Sequence, residues 1–175
     1  KSNPRMMHRL LETLATVVAE YLTRPFAAGA DAIQIFDSWA GALDGADYEE
    51  FSLRYIRAVL ERLPKAAPVI LYAKGKSPQA EALARTGVPC LGVDWTMPLS
   101  QVRGLAGRPI CLQGNLDPTY MPGEPAAAAA AVRAILQDNA GDPGHIFNLG
   151  HGVQPDTDPS VLTDIVAFVH EKTTK

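Results

Sequence analysis

Cysteine is scarce in this chain: Cys90 and Cys111 are the only two among 175 residues. Each lies inside an apolar run, CLGV and PICLQG, and neither belongs to a CxxC pair or a Cys/His cluster at metal-ligand spacing. A disulfide framework and a structural metal site are therefore excluded, and the expectation is two reduced thiols buried in a core. Excess positive charge is missing as well. Sixteen Lys and Arg against 19 Asp and Glu leave a net charge of -3. That is the wrong sign for a general binder of nucleic acid or anionic membrane. No apolar run approaches the ~20 residues of a transmembrane helix. The first residues, KSNPRMMHRLLETL, hold neither an apolar signal core nor a cleavage site. These absences lead to the expectation of a soluble, cytoplasmic protein with no nucleic-acid and no membrane partner. A glycine-rich phosphate fingerprint after the first strand is absent, and so is a GxSxG elbow, which removes support for a dinucleotide fold and a serine hydrolase.

What is present is a regular alternation. The apolar fraction of 47% is ordinary for a globular chain able to bury a core. The spacing predicts a helix over 4–28, capped by Ser2 or Asn3, with Pro4 in its first turn and Gly29 as its stop. Its apolar residues are Leu10, Leu11, Leu14, Val17, Val18 and Tyr21. Strands are expected at 32–36, 68–73, 90–93, 109–113 and 145–149. Helices are expected at 48–63, 78–86, 98–106, 125–138 and 159–171. The helix over 48–63 carries Phe51, Tyr55, Ile56, Val59 and Leu60 on one stripe, and the last is expected to bury Leu162, Ile165, Val166 and Val169. The alanine-rich stretch after Pro125 reads as helix by propensity, not as a linker.

Strands alternating with helices imply an α/β fold with parallel strands and right-handed crossovers. Continuously apolar strands imply that both faces are covered. Five units compare with eight strands in ~250 residues for a closed (β/α)8 barrel. The alternatives are the later part of such a barrel or an open doubly wound sheet, in one structural piece over 1–175. The chain starts at Lys1, not Met, and enters a helix almost at once. Processing, a tag scar or a cut through a longer protein would each account for that.

In either architecture ligands bind beyond the C-terminal ends of the strands. Five segments qualify: Asp37-Ser38-Trp39-Ala40-Gly41, Lys74-Gly75-Lys76-Ser77, Asp94-Trp95-Thr96, Gly114-Asn115-Leu116-Asp117-Pro118 and Gly150-His151-Gly152. Ser, Asp, Lys, Asn and His converging at one mouth suit a polar, anionic small molecule. His151, between two glycines that permit a tight turn, can donate to a carboxylate or act as acid or base. A loop histidine that bonds only backbone is the competing reading. Ser38 can hydrogen-bond a substrate or serve as a helix cap. Lys74 can pair with an anion or be a solvated surface lysine, the latter being the plainer reading; Asn115 and Asp117 read as turn formers, and Asp94 as a partner for loop backbone. Trp39 and Trp95 are placed lining the mouth or under it. His8, His145 and His170 read as structural.

Four segments become recognisable together: FDSWAGAL (36–43), LGVDWT (91–96), LQGNLDP (112–118) and FNLGHGVQPDTDP (147–159). In order and spacing they resemble the uroporphyrinogen decarboxylase family across essentially the whole chain. The resemblance implies a distorted (β/α)8 TIM barrel, of which this chain supplies the last five β/α units as the C-terminal part of a single domain. It implies removal of carboxyl groups from the four acetate arms of uroporphyrinogen III to give coproporphyrinogen III, with no metal or organic cofactor, in a homodimer. It carries two substrate contacts onto this sequence, Ser38 from the F-[DE]-S motif and His151 from NLGHG. The family's arginine-rich motif, its catalytic aspartate and an active-site tyrosine would lie upstream of Lys1. No catalytic residue is therefore assigned here, and Arg5, Arg9 and Arg24, on a helix face, are poor substitutes. A fragment of this kind is expected to be inactive alone.

Two other readings compete. Methyltransferases of the same superfamily move methyl groups between a corrinoid and a thiol, and they bind zinc through a His-x-Cys pair and a later Gly-Cys. Here those places read Tyr72-Ala73-Lys74 and Gly150-His151. The other is a non-catalytic half-barrel that needs a partner to cover its two apolar edge strands.

Overall fold

The computed structural model describes residues 3–139 and 142–173. The first helix, α1 (Pro4–Ala27), begins where the Asn3 side chain accepts a hydrogen bond from the Met6 N–H at 3.1 Å. Ser2, the other expected cap, lies outside the described residues. Gly29, at φ +104°, takes the chain out of the helix. The helix meets its neighbours through Ala15 and Ala19, with Leu11, Leu22 and Phe26 beside them. Leu10, Leu14, Val17, Val18 and Tyr21 are exposed instead. Of the expected stripe only Leu11 packs inward: small alanines let α1 lie close to the next helix, and the other five residues turn outward.

Strand β1 (Ile33–Asp37) is followed by a 3-10 turn (Ala40–Ala42). The expected helix over 48–63 is composite: α2 (Gly45–Tyr48), a π turn (Glu49–Leu53) and α3 (Arg54–Arg62). Then come β2 (Val69–Ala73), a 3-10 turn (Ser77–Gln79), α4 (Ala80–Ala84), β3 (Cys90–Gly92) and α5 (Leu99–Ala106). The chain continues through β4 (Cys111–Leu116), a 3-10 turn (Pro118–Tyr120), α6 (Pro125–Asp138), β5 (His145–Leu149) and α7 (Pro159–Thr173). The expectation for β4 was 109–113. The strand runs further because Gly114, Asn115 and Leu116 pair with Phe147, Asn148 and Leu149 of β5. Pairing with a neighbour overrides the turn-like look of a Gly-Asn dipeptide.

All five strands are parallel, in the order β1-β2-β3-β4-β5. Consecutive strands neighbour throughout, so the winding never reverses and right-handed crossovers put every helix on one face. The open doubly wound alternative is excluded, because it needs a switch point. The sheet is also strongly curved. Gln113 Nε2 on β4 donates to Gln34 Oε1 on β1 at 3.3 Å, although a flat sheet would hold those strands ~14 Å apart.

The convex face buries Ile33, Val69, Leu71, Leu91 and Leu112 under α1 and α3 to α5. A second cluster, around Leu116, Val132, Ile165 and Val169, lies under α6 and α7. Val166 is exposed, against expectation, because α7 is last in the row and packs chiefly on α6. The expectation that both faces of every strand are covered fails at the two edges. Phe36 on β1 is 66% exposed and Ile146 on β5 is 45% exposed, both on the concave side. Cys90 is buried as expected, but Cys111 is only half-buried.

Candidate active site

The concave face holds a cavity of about 300 Å³, lined by Gln34, Phe36, Ser38, Tyr72, Gln113, Asn148 and His151 among others. Strand alternation explains the set. Ile33, Ile35 and Asp37 point to the helices, so Gln34, Phe36 and Ser38 point inward. Both ends of the β1 exit are held. The Asp37 carboxylate accepts from the Ser52 hydroxyl on the π turn. The Asp37 carbonyl accepts from the Lys74 N–H at 3.1 Å. Ser38 is thereby presented to the cavity, and the helix-cap reading drops out, since the turn at Ala40 has no side-chain cap.

His151 is placed by its neighbour. The Gly150 N–H donates to the Leu116 carbonyl at 2.7 Å, and the Gly150 carbonyl accepts from the Tyr72 hydroxyl at 2.8 Å. A Cβ on Gly150 would fall 2.7 Å from the Trp95 nitrogen, so only glycine fits. Gly152 is different: a Cβ there would meet nothing within 4 Å. One of the two flanking glycines is required, not both. The His151 ring stands edge-on to Tyr72 at 6.2 Å and to Trp95 at 6.5 Å between centroids. Burial, then the charge of Asp94, pushes the Tyr72 phenol up to about 12. It therefore stays a donor across the ordinary pH range.

Asp94, only 1% exposed, accepts from the Gly75 N–H at 2.5 Å, the Thr96 N–H at 3.0 Å, the Thr96 hydroxyl and the Ser77 hydroxyl at 3.4 Å. It holds loops, as expected, and is not turned to the cavity. Asn115 is not a turn former. It lies within β4 and donates to the carbonyls of Asp94 at 3.0 Å and Met97 at 2.8 Å. Asp117 does form a turn, accepting from the Thr119 N–H at 2.9 Å. Trp39 is 83% exposed, so it does not pack beneath the mouth, and it is not among the residues lining the cavity. His8 bonds the Tyr55 hydroxyl and Glu50, and His145 the Gly114 carbonyl; both are structural, as read.

The two lysines of this loop differ. Lys74 is half-buried, its ammonium 5.8 Å from the Trp95 ring centroid. Lys76 is 3% exposed. It donates to the Leu43 carbonyl, lies 4.6 Å from the Tyr48 ring centroid and is 3.9 Å from Asp44. Nothing in KGKS distinguishes it from a surface lysine. Burial, followed by the Asp37 charge, keeps Tyr48 beside it protonated. Gln34, Gln113, Asn148 and Tyr72 were missed as cavity residues. A signal was available: AIQIF, CLQG and IFNL each carry one polar residue inside an apolar strand, which marks a wetted inner face.

Both thiols sit at the starts of their strands, in register and away from the mouth. Burial raises the Cys90 pKa, and Cys111 adds to it, so Cys90 is a poor nucleophile. Among the described residues no three His, Cys, Asp or Glu side chains gather as a metal site, and no helix is long and apolar enough to cross a membrane.

In the solved structure of a methyltransferase from Methanosarcina mazei, 98% of this chain superposes on 52% of that one with a TM-score of 0.79 at 21% identity. A putative vitamin-B12 independent methionine synthase from Listeria monocytogenes gives a TM-score of 0.68 at 13% identity, over 100% of this chain and 58% of that one. At such identities the likeness is one of fold. Sequence relatives are nearer. The uroporphyrinogen decarboxylase of Tolumonas auensis is 42% identical over 95% of this chain and 48% of its own length. That of Pseudomonas paraeruginosa is 44% identical over 97% and 49%, and that of Ralstonia pickettii 45% over 97% and 48%. The chain spans about half the length of the curated relatives it matches. The family model described as uroporphyrinogen decarboxylase (URO-D) matches residues 1–172, and with it the conclusion stands that this chain belongs to the uroporphyrinogen decarboxylase family.

Proposed function

We propose that this chain forms the last five β/α units of a uroporphyrinogen decarboxylase barrel, in one domain, and supplies part of the cleft that converts uroporphyrinogen III to coproporphyrinogen III. The observation that carries this reading is the meeting of Ser38 and His151, far apart in sequence, at one concave cavity. Their neighbours Gln34, Gln113 and Asn148 are polar and uncharged, which suits a ligand whose charges lie at its periphery.

In this reading the Ser38 hydroxyl and a His151 N–H donate to side-chain carboxylates of the substrate. Hydrogen bonds to ionised acceptors are about twice as strong as neutral ones. Each decarboxylation protonates a pyrrole carbon, breaks the bond to the carboxyl carbon, releases carbon dioxide and leaves an exocyclic methylene; a proton added there, with loss of the ring-carbon proton, gives the methyl and restores the pyrrole. A fixed carboxylate beside the pyrrole N–H stabilises the cation, and guanidinium groups match the remaining carboxylates. The other barrel units supply both. The reaction runs in a cytoplasmic homodimer without metal or organic cofactor. The corrinoid methyltransferase reading has less support: the places where its zinc ligands would stand hold Tyr72, Lys74 and His151, with the two thiols at the opposite strand ends.

The test is an anaerobic assay of the complete gene product with uroporphyrinogen III, following hepta- to tetracarboxylate products by chromatography. Successive loss of four carboxyl groups is the expected result. Unchanged substrate beside an active relative would overturn the reading.

A further inference from the structure

We propose that Lys74 is a further substrate contact of this site, its ammonium resting against the Trp95 indole beside His151 and taking a carboxylate of the polycarboxylate ligand. The inference rests on the functional reading above.

Its placement comes first. Lys74 directly follows the last residue of β2, and its N–H is bonded to the Asp37 carbonyl at 3.1 Å. It therefore stands level with Ser38 at the rim. By alternation its side chain leaves the backbone on the same side as that of Tyr72, which lines the cavity, while Lys74 itself stands outside that lining. Trp95 then lies between the two nitrogen-bearing groups. Its ring is 5.8 Å from the Lys74 ammonium and meets the His151 ring at 6.5 Å and 87°.

The charge is uncommitted. Among the described residues Lys74 has no ion pair, whereas Lys76 nearby is buried on the Leu43 carbonyl and beside Asp44. The carboxylate of Asp94, in the neighbouring loop, is buried and turned toward the Gly75 and Thr96 N–H groups. An indole face holds an ammonium in place without neutralising it, so the positive charge stays available to an incoming anion. A lysine is a compact point charge on a flexible stem and does not demand bidentate geometry. That suits a ligand whose acetate arms shorten one by one while its propionates remain.

The experiment uses the complete gene product and its K74M and K74R variants. Binding of uroporphyrin, with eight carboxylates, and coproporphyrin, with four, is followed by porphyrin fluorescence at low and high salt, beside KM and kcat for uroporphyrinogen III. For K74M we expect uroporphyrin affinity about tenfold lower at low salt, the size of one charge-assisted contact. The loss should shrink at high salt and be smaller for coproporphyrin. KM should rise with kcat little changed, K74R should recover most of the affinity, and the unfolding midpoint should not move. Wild-type affinity and salt dependence in K74M, with decarboxylation intact, would overturn the assignment of Lys74 alone. A wild-type protein that neither binds nor decarboxylates would remove the functional reading and Lys74 with it.

Discussion

The Tyr72 hydroxyl on β2 donates to the Gly150 carbonyl beyond β5 at 2.8 Å. This bond spans the concave face and fixes the backbone that carries His151. Replacing Tyr72 by Phe removes one hydrogen bond and leaves the ring. We expect a stability loss of about 1 kcal/mol, read as a lower urea midpoint. Porphyrin affinity should fall a few-fold as the His151 loop loosens, and an unchanged affinity would separate the bond from ligand binding.

The same phenol makes an alkaline prediction. Its pKa is pushed from the ordinary 10.0 to about 12, by burial first and Asp94 second. The unfolded chain ionises at the lower value and the folded one at the higher. The contribution is therefore complete below about pH 10 and declines as pH rises to about 12. The stability difference between wild type and Y72F should shrink across that window, and absorbance at the tyrosinate band should rise late.

Glycines 150 and 152 should respond unequally. Gly150→Ala places a Cβ 2.7 Å from the Trp95 nitrogen, forcing a backbone shift that costs about 1–3 kcal/mol. Gly152→Ala meets open space and should stay within about 0.5 kcal/mol of wild type. Thermal unfolding of the two variants checks the contrast, and equal losses would mean that the loop is not held at Gly150.

Ser38→Ala and His151→Ala, in the complete protein, should each weaken porphyrinogen binding by roughly tenfold, as expected for a contact to an ionised acceptor. The measurement is kcat/KM with binding of a fluorescent porphyrin. Unchanged rate and affinity in both variants would remove these residues from the site.

The 175-residue chain alone leaves Phe36 and Ile146 exposed at the two edge strands, and Leu10, Val17 and Tyr21 exposed along α1. Open parallel edges beside apolar surface favour association. Sedimentation should show dimers or larger species. A monodisperse monomer over a wide concentration range would count against the need for a covering partner.

The order and nature of the elements were legible in the amino-acid sequence, because they depend on local features: apolar period, Asn3 and Pro4 at a helix start, Gly29 at its end. So was the placing of Ser38 and His151 just beyond the ends of apolar strands, with their roles as substrate contacts drawn from the resemblance, and so was the family, through four segments in a fixed order. Tertiary structure decided the rest. It chose the alanine face of α1 over the leucine face, because close helix approach depends on a neighbour. It extended β4 through Gly114 and Asn115, because the ladder with β5 stabilises them as strand. It buried Lys76 against Tyr48, joined Gln34 to Gln113 across a curved sheet, and made Gly150 indispensable while leaving Gly152 free of contact. Each of these is a distance between residues remote in sequence, and local propensity carries no such distances.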